Sequence, residues 1–251
     1  MNHLPGNLAY RAYKLIWVAE DWLFPPNCGG CGLPGARWCE QCSQTTSEIE
    51  QPICSICGDI SVNVSGGLCS KCQVSKPLYI SLRSYTVFTG SIRKAIHKLK
   101  YQRDIGLGEA LSRPMITSLL KLNWALDMIT SVPLGLARLE ERGYNQATLL
   151  ARPIALCLKV PFSSRALTRT RETRSQVGLT LTERQENMAD AFQADSKLVK
   201  GKSVLVVDDV ATSGATLNEC AKALLDEGAL QVYGYSLARA VFNPNEEVEL
   251  S

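Results

Sequence analysis

Two groups of residues in this 251-residue chain have the types and spacing to do chemistry. The first lies in residues 204–217, VLVVDDVATSGATL. An apolar run ends in two adjacent carboxylates, Asp208 and Asp209. A loop of small residues follows, Ala211, Thr212, Ser213, Gly214, Ala215 and Thr216, and then a helical pattern begins. Carboxylates repel a phosphate, but they accept hydrogen bonds from the neighbouring hydroxyls of a sugar. The loop is suited to the opposite task. Its N–H groups and the start of the helix make a cradle for an anion. Gly214 permits close backbone approach, and three hydroxyls add donors. Together these residues predict a site for a phosphorylated ribose, with its 2′- and 3′-hydroxyls on Asp208 and Asp209 and its phosphate on 211–216. An acidic turn with a threonine cap is the bland alternative.

The second group is the cysteines. The chain has ten, and eight fall in four CxxC pairs: Cys28 with Cys31, Cys39 with Cys42, Cys54 with Cys57, and Cys69 with Cys72. A two-residue spacer turns both thiolates of a knuckle toward one tetrahedral ion, and two knuckles complete a four-cysteine zinc site. Two structural zinc ions are expected. Sequential pairing of the knuckles is the simplest arrangement, and an interleaved one satisfies the same spacings. Iron–sulfur ligand spacings differ from this pattern. A disulfide framework is disfavoured because no export signal is expected and cytosolic thiols stay reduced. Cys157 and Cys220 stand apart in helical patterns and read as buried small hydrophobes.

Charge is distributed unevenly behind a net +3. Residues 1–82 carry net −1, residues 83–184 net +10 and residues 185–251 net −6. The middle stretch suits an anionic partner, either a phosphorylated small molecule or single-stranded DNA. Lys94, Lys98, Lys100 and Arg103 are candidates there, as are Arg169, Arg171 and Arg174.

These residues must be positioned by regular elements. Alternating apolar residues at 78–88 predict a strand or hairpin, and residues 91–99 and 106–122 predict helices. A short strand at 127–132 ends at Pro133. Helices are expected at 145–158 and 182–189, the latter with a capping box of Thr180 and Glu183. Residues 203–207, SVLVV, read as a fully buried strand, followed by a helix at 214–227 stopped by Gly228 and a strand at 231–238. Strand–helix–strand units of this kind form a parallel sheet with both faces covered. The fold class is therefore α/β, preceded by a small Cys-rich module. Near the N-terminus, Leu8, Leu15 and Trp22 recur every seven residues and predict an amphipathic helix packed on the protein. Arg11, Lys14, Glu20 and Asp21 interrupt any membrane span, and a cytoplasmic location is expected.

The 204–217 stretch resembles the phosphoribosyl-pyrophosphate (PRPP) loop of type I phosphoribosyltransferases. Three further segments resemble the ComF family within that superfamily. They are Val132-Pro133-Leu134 with Arg138 and Arg142-Gly143-Tyr144-Asn145-Gln146; IHKLKYQR at 96–103; and TRTRETRSQ at 168–176 with Leu181, Arg184 and Asn187. The N-terminal cysteine pairs, preceded by Leu23-Phe24-Pro25, are similar to that family's double zinc ribbon. Gly135 stands where the family usually has His, in the loop that corresponds to the pyrophosphate loop.

With the N-terminal amphipathic helix expected at 1–24, the resemblance implies a double zinc ribbon at 25–78 and a phosphoribosyltransferase-like domain at 79–251. It implies that Mg²⁺ accompanies PRPP, and that Arg138, Arg142, Arg169, Arg171 and Arg174 neutralise pyrophosphate. Asp208 and Asp209 would be the catalytic pair if transfer occurs. It also implies a role in handling incoming single-stranded DNA, in natural transformation or DNA utilization, near a helicase. The expected function is a PRPP-binding protein of that process. The alternative is an active phosphoribosyltransferase with an unidentified acceptor.

Overall fold

A computed structural model describes residues 8–60, 66–170 and 191–241. Residues 203–211 form the pivot of the architecture. In β5 (Ser203–Ala211) all five residues of SVLVV are buried, so this strand is covered on both faces. Side chains alternate across a strand. Accordingly Val204 and Val206 enter one core, while Leu205 and Val207 enter another.

Four parallel strands make the main sheet, in the order β1 (Ser81–Val87), β6 (Gln231–Arg239), β5, β2 (Met128–Ser131). Helices α4 (Gly90–Tyr101), α5 (Gly106–Leu120) and α7 (Gln146–Leu158) supply the core on the Leu205 side. On the Val206 side packs α9 (Ala215–Asp226), with a two-stranded antiparallel ribbon of β3 (Leu167–Arg169) and β4 (Phe192–Ala194). The short α8 (Ser196–Val199) leads into β5. Cys157 and Cys220 are buried in α7 and α9, as expected of small hydrophobes.

The cysteine module packs along the outer edge of β1. An open strand edge exposes unpaired N–H and C=O groups, and proteins cover such edges. Here Leu82 N–H donates to the Ile56 carbonyl at 2.7 Å, and Ile49 N–H donates to the Tyr85 carbonyl at 2.9 Å. Arg83 and Arg239 donate to the carbonyls of Ser55 and Cys57 at 2.8 and 2.7 Å. The module's own helices are two short turns, α2 (Glu40–Gln44) and α3 (Ser70–Val74).

Two expectations need correction. The N-terminal helix forms, as α1 (Leu8–Leu23), but Leu8, Leu15 and Trp22 face outward, exposed by 81%, 66% and 82%. The packed face carries buried Tyr10 with half-buried Tyr13 and Trp17. Arg37 fixes that orientation, pairing with Glu20 and Asp21 at 3.1 and 2.6 Å and lying over the Trp17 ring. The second difference is a helix where none was expected, α6 (Leu136–Arg142). The helix expected at 182–189 and its capping box lie outside the described residues, as do Arg171 and Arg174.

Candidate functional site

The eight CxxC cysteines gather as two tetrads, Cys28, Cys31, Cys39 and Cys42, and Cys54, Cys57, Cys69 and Cys72. This is the sequential pairing. In each tetrad the sulfurs lie within 4.8 Å of one another, and the pairs Cys28–Cys42, Cys31–Cys39 and Cys57–Cys69 are 3.6 Å apart. Zinc–sulfur bonds of about 2.3 Å place tetrahedral sulfurs about 3.8 Å apart, so the residues fit zinc. Burial opposes ionisation of Cys28, yet backbone N–H groups of Cys31, Cys39 and Gly30 bring its thiol down to about 6. Burial and neighbouring sulfurs push Cys42 up to about 12. Four thiolates this close need a cation. The donor set is complete in each tetrad, which makes both sites structural.

The first knuckle is wedged against the α/β core. A Cβ on Gly29 would meet Leu107 at 2.7 Å, and one on Gly30 would meet the Cys42 sulfur at 2.7 Å and Ser91 at 2.8 Å. Lys98 donates to the Cys28 carbonyl at 3.0 Å. That lysine, expected to meet DNA or pyrophosphate, ties α4 to the knuckle.

Asp208 and Asp209 end the buried part of β5. Adjacent strand residues face opposite sides, and the two carboxylates meet different partners. Asp209 is 5% exposed and pairs with Lys100 at 2.9 Å. Burial opposes its charge, but Lys100 holds its carboxyl below the usual range. Burial and the neighbouring Asp209 charge push Asp208 well above that range. The two neighbouring carboxyls are thus shifted in opposite directions. Asp208 also accepts from the Asp209 N–H at 2.9 Å.

The loop beyond them runs straight into α9. Gly214 sits at φ +83, and a Cβ there would meet the Tyr79 hydroxyl at 2.8 Å. Only glycine satisfies both the backbone and the space. The Ser213 hydroxyl accepts from the Ala215 N–H at 3.4 Å. The first-turn N–H groups of a helix have no intrahelical acceptor, so the start of α9 faces the loop with positive dipole.

A cleft of about 960 Å³ opens over these groups. Asp208, Asp209, Ala211, Thr212, Gly214 and Thr216 line it, together with Lys94, Lys98, Lys100, Arg138, Arg142 and Arg169. Ser213, Ala215 and Arg103 do not line the cleft. The RGYNQ segment builds the far wall. Gly143 ends α6 at φ +81. The Tyr144 hydroxyl donates to the Leu99 carbonyl. The Asn145 side chain caps α7 by accepting from Ala147 N–H at 2.9 Å, and it donates to the Val132 carbonyl at 2.8 Å. Gln146 accepts from Arg142 at 3.1 Å, and that guanidinium lies 4.9 Å from the Tyr101 ring. Sequence reasoning missed Tyr101, His97 and Arg93, which also line the cleft, and the first zinc knuckle, residues 29–32, which borders it. Helical spacing in residues 90–101 places Lys94, His97, Lys98 and Tyr101 on one face and was the available signal.

The double zinc ribbon domain family matches residues 19–73, and the phosphoribosyl transferase domain family matches residues 141–242. The DNA utilization protein YhgH of Escherichia coli K12 is 33% identical over 226 residues, covering 86% of this chain and 98% of that protein. The chain belongs to the ComF family. Competence protein F of Haemophilus influenzae is 30% identical over 210 residues, spanning 79% of this chain and 90% of that protein. Competence protein ComFC of Bacillus subtilis is 26% identical over 241 residues, spanning 91% and 96%. As in the family's double zinc ribbon and phosphoribosyltransferase-type architecture, two four-cysteine sites precede a parallel sheet with its cleft at the strand ends.

Proposed function

We propose that this ComF-family cleft binds PRPP and that the protein uses it in cytoplasmic handling of incoming single-stranded DNA. One observation carries the reading. The strand end brings Asp208 and the Lys100-clamped Asp209 to the cleft, immediately before a glycine-hinged loop and a helix N-terminus. Sugar hydroxyls suit Asp208 and Asp209, which both line the cleft. The 5-phosphate suits the loop of residues 211–216. Arg138, Arg142 and Arg169 supply positive charge for a pyrophosphate. With PRPP bound, Mg²⁺ would shield the pyrophosphate charge between these arginines and the ribose hydroxyls. The names of the DNA utilization and competence relatives support the DNA role. An active transferase with an unidentified acceptor is the second reading, favoured by the same arginines facing a departing pyrophosphate.

Isothermal titration with PRPP and Mg²⁺ tests the binding step. Changing Asp208 and Asp209 to Ala should lower affinity roughly a hundredfold or more, at about 1.5–3 kcal/mol per charged hydrogen bond. Unchanged affinity in a folded double variant would remove the reading. Pyrophosphate release from PRPP, with and without bases or DNA ends, separates binding from transfer.

A further inference from the structure

We propose that the outer face of α1 pairs with the same face of a second copy of this chain, as an antiparallel two-helix seam. The helix is apolar on two opposite sides. Tyr10, Tyr13 and Trp17 turn inward, and Tyr10 is buried. Leu8, Leu15, Ile16, Trp22, Leu23 and the adjoining Phe24 turn outward, and each is more than half exposed. A helix apolar on all sides belongs in an interior. This one cannot roll to hide its outer face, because Arg37 holds Glu20 and Asp21 from the packed side.

The outer face has the spacing of a seam. Leu8, Ala12, Leu15, Ala19 and Trp22 follow at intervals of four, three, four and three residues, and all five are exposed. That is the heptad rhythm of paired helices. Large side chains alternate with alanine along it, so the face complements itself when one helix is reversed. An antiparallel register that sets Trp22 against the partner's Ala12 also sets Leu15 against the partner's Ala19. Each large residue then meets a small one, which lets the two helices approach closely.

Charge fits the same arrangement. Arg11, Lys14, Val18 and Asp21 follow one another along one flank, with the basic pair in the first half of the helix and the acid near its end. Reversal brings the exposed Arg11 within one turn of the partner's Asp21. Parallel pairing sets like charges side by side. The helix carries two basic and two acidic residues, Arg11 and Lys14 against Glu20 and Asp21. It therefore has no positive excess to hold an anionic lipid surface. A soluble monomer leaves open apolar patches of about 300–600 Å². Aromatic side chains such as Trp22 and Phe24 cover about 150–250 Å² each. With the aliphatic residues beside them, the face approaches the roughly 800 Å² per partner of a stable interface.

Sedimentation of the full-length, zinc-loaded protein over a concentration series tests the pairing, with zinc content and circular dichroism reporting that each variant is folded. Wild type should pass from monomer to dimer as concentration rises. Leu15→Lys should weaken the dimer roughly thirtyfold or more, the scale of a central interface residue. Ala12→Trp should do the same by filling the space that the partner's Trp22 takes. Arg11→Glu should weaken it less, and added salt should narrow its difference from wild type. A wild type that stays monomeric at every concentration overturns the proposal. A dimer that Leu15→Lys and Ala12→Trp both leave intact also overturns it, since the contact then lies on another face. Monomer that floats with vesicles of anionic phospholipid identifies a lipid surface as the occupant and overturns it as well.

Discussion

Asp208 and Asp209 are chemically identical neighbours with opposite electrostatic fates, and substitution should expose the difference. The folded state raises the Asp208 carboxyl above its ordinary value, through burial and the Asp209 charge. A raised acid group costs stability once pH exceeds the unfolded value, near 3.9. Asp208→Asn should therefore raise the melting temperature of the ligand-free protein at neutral pH, by about 2–4 °C for each kcal/mol regained. The gain should vanish below about pH 4, where Asp208 is protonated in both states. PRPP affinity should fall in the same variant. Asp209→Asn should act in the reverse direction. Lys100 holds Asp209 below its ordinary range, so its contribution is present above the unfolded value and is lost only in stronger acid. The loss should be about 1.5 kcal/mol, the low end for a charged hydrogen bond, because a quarter of the Lys100 side chain remains in water. Thermal melts of both variants between acid and neutral pH check the pair of signs.

At the scale of elements, the sequence announced whatever depends on neighbours in the chain. Strand β5, the loop after it and the four knuckles are local patterns, and each forms. The strand, however, runs on through the two carboxylates to Ala211 and the helix begins at Ala215, which shortens the loop to residues 212–214. What escaped depends on residues far apart. The heptad of Leu8, Leu15 and Trp22 implied an inward seam, yet α1 is apolar on opposite sides and Arg37 selects the Trp17 side. Lys98 reads as a cation for DNA because nothing local reveals the Cys28 carbonyl waiting for it. Within RGYNQ the arginine was legible as a cleft residue, but the asparagine was not legible as a joint. Asn145 caps α7 and holds the Val132 carbonyl beside the end of β5. Asn145→Ala should cost about 0.5–2 kcal/mol of stability, the range for a lost N-cap, and should weaken PRPP binding by loosening residues 132–134. Denaturant unfolding measures the first effect and calorimetry the second. Destabilisation without any change in PRPP binding would confine Asn145 to the cap.

At the scale of the molecule, composition divides the chain near residue 78, but the hydrophobic core does not stop there. Cys54, Cys57, Cys69 and Cys72 are buried in the same cluster as Tyr79, Leu82, Leu217 and Cys220. Gly58 abuts the Leu82 carbonyl so closely that a Cβ would lie 2.6 Å from it. The second tetrad is thus part of the wall that closes the β1 edge, while in the first tetrad Cys31 is exposed. Elemental analysis should give close to two zinc ions per chain, one per tetrad. The two sites should differ when damaged. Cys31→Ser removes an exposed ligand and should loosen the knuckle beside the cleft while the sheet persists. Cys54→Ser removes a fully buried ligand, and zinc binding is a large part of the folding energy of such a small module. It should lower the stability of the whole chain in one transition, because unfolding the ribbon strips the Ile56 and Tyr85 backbone bonds from strand β1. Hydrogen exchange of the β1 and β6 amides is the decisive measurement. Their protection should collapse in Cys54→Ser and hold in Cys31→Ser. Equal protection in both variants would mean that the ribbon unfolds alone and that the shared core contributes little to the sheet.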